Sequence, residues 1–307
     1  MKKSRSGFTL VELLLAMTLV IVLGMFLIQI LRGIFQTWSK TEEQRVVLEN
    51  ARDILECIKD DIQSLYCHDQ NRGLARFVLD FDSYGNQKLR FMRWTKNSAL
   101  TESIAGHYGI AEVMYLTSAN KDTLSLYRGF RCPPGGQSSC WNDNNFNNMT
   151  SKKKWIQDYC QEWSDKILLC WFDCWKEGLS SWNNAPNTWF FDSSVKSSLP
   201  LKLRVTLVIN GDSCASAVLS QDINANDSSL SFMQPKNFPV LPSSYNYIAR
   251  IGNEWIRYKN CTGNQITQIT RGQYHTAPQE HKRGTKIVWG ICFIMTISLP
   301  DYVTSWN

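Results

Sequence analysis

The chain lacks an excess of either charge. Its formal net charge is +6 over 307 residues, and Lys2, Lys3 and Arg5 supply three of those charges within the first seven positions. What remains is about +3, which makes no electrostatic case for nucleic acid, whose binders concentrate Lys and Arg on one face. There is no phosphate-binding glycine loop, no HExxH and no dinucleotide fingerprint. Histidine is scarce: His68, His107, His275 and His281 fall one apiece in different segments, so no pair is spaced as metal ligands. Only 20% of residues are charged while 43% are hydrophobic, which excludes a disordered polyelectrolyte, and a single long apolar run excludes a multi-pass membrane protein. Proline is absent from residues 8 to 68. Cysteine, by contrast, is abundant. Ten Cys argue for an oxidising compartment.

Most of the information sits in the first 35 residues. The cationic stretch Met1–Gly7 precedes an apolar run from Phe8 to Leu31, 24 residues with Glu12 as the one charge. As a helix this run reaches about 36 Å, enough to cross a bilayer core with some tilt. The flanking cations keep the N-terminus cytoplasmic and put the remaining chain on the other side. A secretory signal predicts a shorter core, of about 7–15 residues, and a small-residue cleavage site, neither of which is present. Glu12 is the anomaly. An unpaired carboxylate costs about 2.5–3.5 kcal/mol near the centre of a spanning helix and less toward its ends, so Glu12 needs a partner.

Gly7-Phe8-Thr9-Leu10-Val11-Glu12, with Leu13-Leu14-Leu15-Ala16 after it, resembles the N-terminal processing motif of type IV pilins and type II secretion pseudopilins. The resemblance implies cleavage after Gly7 by a prepilin peptidase and N-methylation of the new N-terminus at Phe8. It also implies that Glu12 pairs with the α-amino group of a neighbouring subunit, which removes the physical objection to a buried carboxylate. An uncleaved signal anchor is the alternative.

Past the apolar run, Val47, Ala51, Ile54, Leu55, Ile58, Ile62 and Leu65 recur at spacings of three and four, one face of a continuing helix. The expected fold class is α+β: a pilin-like long N-terminal helix packed on an antiparallel β-sheet head, carrying a Cys/Trp-rich and a β-hairpin insertion. Strands are expected at Leu74–Phe81, Lys88–Trp94, Ile110–Leu116, Thr123–Phe130 and Leu201–Asn210, with turns at Tyr84–Asn86 and Asn120–Asp122. Lys286–Leu299 reads as a buried strand or a bent strand pair. The order of these segments, from Ala51 to Arg128 and again at Leu199–Val205, is similar to the head of the J-type minor pseudopilin and related minor pilins.

The division expected is a leader at 1–7, a membrane or filament-core helix at 8–31, an amphipathic continuation at 32–68 and a β head at 69–131 and 199–220. An insertion at 132–198 and a C-terminal β-module with a final strand at 221–307 complete it. The insertion holds five Cys and seven Trp. The Trp read as core builders, with a carbohydrate platform as the alternative, and the Cys as staples, with Cys132 and Cys140 paired across Pro133-Pro134-Gly135-Gly136. Asn142–Asn148 reads as a turn-rich loop, with calcium as the alternative, and no other cofactor is expected. Cys170 and Cys174, placed on a helix, offer two thiolates to zinc but have no second pair nearby; pairing of each with another cysteine is the preferred reading. Residues 238–288 resemble a small surface β-module of some phage tail proteins and minor pilins, and there Glu254 and His281 read as a structural hydrogen-bonding pair, or as a site. Gly211-Asp212-Ser213-Cys214 is similar to a chymotrypsin-like nucleophile segment for three residues only and reads as a hairpin turn.

The sequence therefore predicts a non-enzymatic, tip-type pilin-like subunit, anchored once in a bacterial inner membrane with its head periplasmic or extracellular. Its expected partners are the prepilin peptidase, other pilin or pseudopilin subunits and the membrane, with no nucleic acid. A type II secretion pseudopilus is the first reading. A type IV pilus minor pilin for adhesion, motility or DNA uptake, and a membrane-anchored binding module, are the alternatives.

Overall fold

The computed structural model describes residues 9–67, 76–82, 86–95, 109–119, 124–132, 134–137, 139–146, 148–175, 189–192, 199–210, 215–236 and 247–300. One helix, α1, runs without interruption over Leu10–Gln63. The chain divides inside it into two compact units, residues 1–46 and 47–307.

In the first unit α1 is apolar all round as far as Leu31, with Glu12 as its one charge. Its most hydrophobic window has a mean hydropathy of 2.7, and large apolar side chains from Leu10 to Trp38 stand 45–77% exposed. A helix of this kind is stable in water only if something covers it. The hydroxyls within and just past the run are satisfied locally: Thr18 donates to the Leu15 carbonyl, Thr37 to Gly33 and Thr41 to Thr37, each at 2.9 Å.

The second unit begins where α1 becomes amphipathic. Of the face read from spacing, Val47, Ala51, Ile54, Ile58, Ile62 and Leu65 are buried, the last helical pair Ile58 and Ile62 completely, and Leu55 is partly buried against the same core. They pack on one face of an antiparallel sheet. Its strands are β1 (Arg76–Phe81), β2 (Gln87–Trp94), β3 (Ile110–Ala119), β4 (Leu124–Arg131), β5 (Cys160–Trp175), β6 (Trp189–Asp192), β7 (Lys202–Ile209) and β16 (Ile291–Ser298), in the spatial order 16-7-5-4-3-2-1-6. Alternation along the strands turns Phe77, Leu89, Phe91, Tyr115, Leu203 and Val205 toward the helix.

A second antiparallel sheet is built from β8 (Ser216–Leu219), β9 (Ser229–Lys236), β10 (Tyr247–Ile251), β11 (Glu254–Tyr258), β12 (Asn260–Thr262), β13 (Gln265–Thr267), β14 (Thr270–Gln273) and β15 (Lys286–Trp289). It has its own core around Leu219, Ile251, Ile256, Tyr258 and Ile287. It also meets the far face of the first sheet, where Leu168, Trp171 and Val208 pack with Ile248 and Trp255. Over β3–β5 that same far face is roofed by helix α2 (Met149–Tyr159), capped by the Asn148 side chain on the Ser151 N–H and anchored by buried Trp155 and Ile156.

Three expectations need correcting or refining. Cys170 and Cys174 lie on β5, not on a helix, because Ile167–Phe172 is a continuous apolar run that suits a buried central strand. The Cys/Trp-rich stretch supplies that strand: β5 is hydrogen-bonded to β4 on one side and β7 on the other. The final apolar run is a bent pair whose halves join different sheets. β15 is in the second sheet, whereas β16 is the edge of the first and only partly buried, with Ile294 64% exposed. Gly290 makes the crossing. A Cβ there would lie 2.6 Å from the Ile209 carbonyl oxygen and 2.7 Å from Val208 Cγ1.

Candidate functional site

Gly7 and Phe8 lie outside the described residues. Glu12 occupies the first turn of α1, where the helix dipole favours a carboxylate. Its Oε2 accepts from the Thr9 N–H and the Thr9 hydroxyl, each at 3.0 Å, while the Thr9 Oγ1 accepts from the Glu12 N–H at 3.3 Å. This is a reciprocal capping box, with Thr9 at the N-cap and Glu12 three residues on. The T-x-x-E spacing before an apolar run was its signal in the sequence. Among the described residues only Oε2 accepts a hydrogen bond, and Glu12 is exposed. The motif thus presents a preorganised carboxylate on a helix whose next turns are bare hydrocarbon.

The head end of α1 is held by a second carboxylate. Asp61 is completely buried and accepts from Arg93 Nη1, from the Tyr115 hydroxyl at 2.5 Å, and from Arg128 Nε and Nη2 at 2.7 and 2.9 Å. Burial alone would depress the Arg128 pKa, yet the hydrogen bond and charge of Asp61 leave it raised. The partners come from β2, β3 and β4, too far apart in the chain for sequence reasoning to join them. Their arrangement ties helix to sheet and offers no reactive group to solvent.

In the second sheet Glu254, also fully buried, accepts from Arg271 Nε and Nη2 at 2.7 Å, from the Gly272 N–H at 2.9 Å and from the Gln279 N–H at 3.1 Å. His281 Nε2 lies 2.9 Å from it. Burial pushes the Glu254 carboxyl up, but these partners outweigh it and hold it at about 2. A carboxylate so fully used is a structural knot, in line with the hydrogen-bonding pair read from sequence.

Glu112 is a third buried carboxylate, and it organises the loop after β4. It accepts from the Gly135 N–H at 2.6 Å, the Ser139 hydroxyl at 2.7 Å and the Cys140 N–H at 2.9 Å. Beyond them Asn142 caps a short 3₁₀ turn, and Asp143 Oδ1 accepts from Arg90 at 3.0 Å. A carboxylate already facing Arg90 and Lys88 is poorly placed for calcium, and among the described residues no group of three His, Cys, Asp or Glu is placed to hold a metal. Cys132 Sγ donates to the Ile110 carbonyl at 3.4 Å, and Cys140 is buried in the α2 cluster beside Cys160. Trp155 and Trp171 are core residues. The Gly211–Cys214 segment lies outside the described residues.

Residues 2–28 match the protein-family model of the prokaryotic N-terminal methylation motif. No curated protein matches the chain. The motif supports a type IV pilin-like family, and with it a pilin-type subunit of a type IV pilus or secretion pseudopilus. It implies processing by prepilin peptidase and assembly with other pilins. Together with the apolar helix it fits a single-pass membrane-anchored pilin.

Proposed function

We propose that this chain is a minor, tip-type subunit of a type II secretion pseudopilus, with a structural role in protein secretion and no catalytic activity. The observation that carries this reading is the motif Gly7-Phe8-Thr9-Leu10-Val11-Glu12 at the head of an uncovered apolar helix. Prepilin peptidase cuts after Gly7 and the new N-terminus at Phe8 is methylated. The helix first lies in the inner membrane, with the head periplasmic, and then passes into the filament core. Both are media in which the side chains from Leu10 to Trp38 lose contact with water.

Glu12 has a cap to satisfy Oε2 and an unused Oε1 to offer the amino group of a neighbouring subunit. Pairing neutralises a charge that would otherwise be buried alone, and the fixed position of Glu12 on the helix then sets the register between subunits. The large head supports a tip position. Two sheets and a helical roof on every subunit would crowd a filament that repeats at each helical step. The order of head segments, similar to the J-type pseudopilin, favours secretion over a type IV pilus.

The test has two arms. Mass spectrometry of the N-terminal peptide, from cells with and without prepilin peptidase, is expected to show N-methylated Phe8 only when the peptidase is present. Deletion of the gene is expected to abolish protein secretion while surface pili persist. A chain that keeps Met1–Gly7 in peptidase-competent cells refutes the filament role. Loss of pili with secretion intact moves the subunit to the pilus.

A further inference from the structure

The face of the first sheet beneath α2 brings two cysteines toward each other from well-separated positions in the chain. Register sets Arg90 opposite Met114, Met114 opposite Gly129 and Gly129 opposite Cys160. These four residues form a row across β2, β3, β4 and β5 and project from one face. Cys140 belongs to the loop laid over the β2–β3 end of that row. Its N–H donates to Glu112, two residues from Met114, and its carbonyl accepts from Arg90 Nη1, both at 2.9 Å.

Only β4 lies between, and there the row holds a glycine. A Cβ on Gly129 would stand 3.2 Å from Cys160 Sγ and 2.8 Å from the Trp155 ring. The Cys160 sulfur therefore leans over β4 toward β3, into space that any other residue would fill. Cys140 and Cys160 share one apolar cluster with Met114, Leu116, Phe146 and Trp155. A Cys160 thiolate would also raise the pKa of Cys140.

We propose that Cys140 and Cys160 are joined by a disulfide in the exported protein. The inference rests on the proposed placement of the head outside the cytoplasm. Each thiol gives up its proton, and the two electrons reduce the disulfide of a thiol–disulfide oxidoreductase to a dithiol as the Sγ–Sγ bond forms. The bond flanks α2 on both sides, tying the Glu112-bound loop to the start of β5 and holding the helical roof on the sheet. In the folded head burial pushes the Cys160 thiol up to about 12 and Cys140 well up too, so few thiolates exist there.

The test is an unreduced tryptic map of the full chain, purified in detergent from cells that export it, with thiols alkylated under denaturing conditions. Lys152, Lys153 and Lys154 separate the two cysteines, whereas Cys132 and Cys140 stay in one peptide. The expected result is a cross-linked pair, residues 132–152 with 155–166, in which fragmentation finds Cys132 alkylated. The cross-link persists in Cys132→Ser. Overturning results are a closed Cys132–Cys140 loop within one peptide, alkylation of both Cys140 and Cys160, or a bond from either to another cysteine. The same digest reports the N-terminus. A processed Phe8 with alkylated Cys140 and Cys160 refutes the disulfide alone, and an unprocessed N-terminus refutes the proposed function alone.

Discussion

Replacing Asp61 by asparagine tests how the helix is held on the head. Asp61 takes four hydrogen bonds from Arg93, Tyr115 and Arg128, and its side chain is completely buried. Asparagine keeps the shape, but it removes the charge and turns an amide donor toward guanidinium groups that are themselves only 17–20% exposed. Two cations then share a site with no anion. Breaking a buried pair in this way costs about 3–5 kcal/mol, because the surviving charge stays desolvated. For a domain of this size 1 kcal/mol lowers the melting midpoint by about 2–4 °C, so the expected fall is roughly 6–20 °C. The assay is thermal unfolding of the full chain in detergent, followed by near-ultraviolet circular dichroism, which reports the buried Tyr and Trp of the head. Arg128→Gln in the Asp61→Asn background is expected to cost less than in the parent, since it removes one of the stranded cations. A midpoint within about 2 °C of the parent for Asp61→Asn would refute the reasoning, as would full additivity of the pair.

Glu254 sets an acid limit. Its folded pKa of about 2 lies below the ordinary 4.5, so its contribution is complete above pH 4.5 and is lost as pH falls from there toward 2. The contribution is on the order of 3 kcal/mol, and Glu254→Gln should flatten the pH dependence of urea midpoints across that window. Gly290→Ala places a Cβ against the backbone of β7 and is expected to cost about 1–3 kcal/mol, read as a lower urea midpoint at unchanged slope. Glu12→Ala should leave cleavage at Gly7–Phe8 intact and abolish co-purification with other pilin-like subunits; recovery with them at the parent level would count against the pairing role. Lys152→Met leaves the Asp82 carboxylate, 2.5 Å from Nζ in the parent, buried without its cation, and should loosen α2 enough to raise proteolysis after Lys153 and Lys154.

Local pattern was enough for the elements whose causes are local. A proline-free run, three-and-four spacing of Val47 to Leu65 and alternation along Leu203, Val205 and Leu207 announced α1 and β7, because helix and strand periods are written into neighbouring residues. The processing motif was legible for the same reason: its parts lie within six consecutive positions. The capping box was present in that stretch too, in Thr9 and Glu12, and gives the carboxylate a role within its own helix.

Where Cys160–Trp175 goes is settled by folding and not by composition. Its Trp and Cys content marked it as something added, yet a β-ladder is assembled from whatever strand satisfies the free edges of β4 and β7, and composition does not specify that partner. The same holds for the run after Lys286, where Gly290 lets β15 finish the second sheet and β16 join the first. The buried carboxylates Asp61 and Glu112 were equally hidden, since each gathers donors from distant strands and loops, and of the Glu254 knot only the pairing with His281 was legible. The long helix and its motif were readable from the residues alone, because these depend on hydrophobicity, charge and spacing along one segment. The sheet order, the polar knots and the meeting of Cys140 with Cys160 depend on contacts between segments far apart in the chain, and those exist only once the chain has folded.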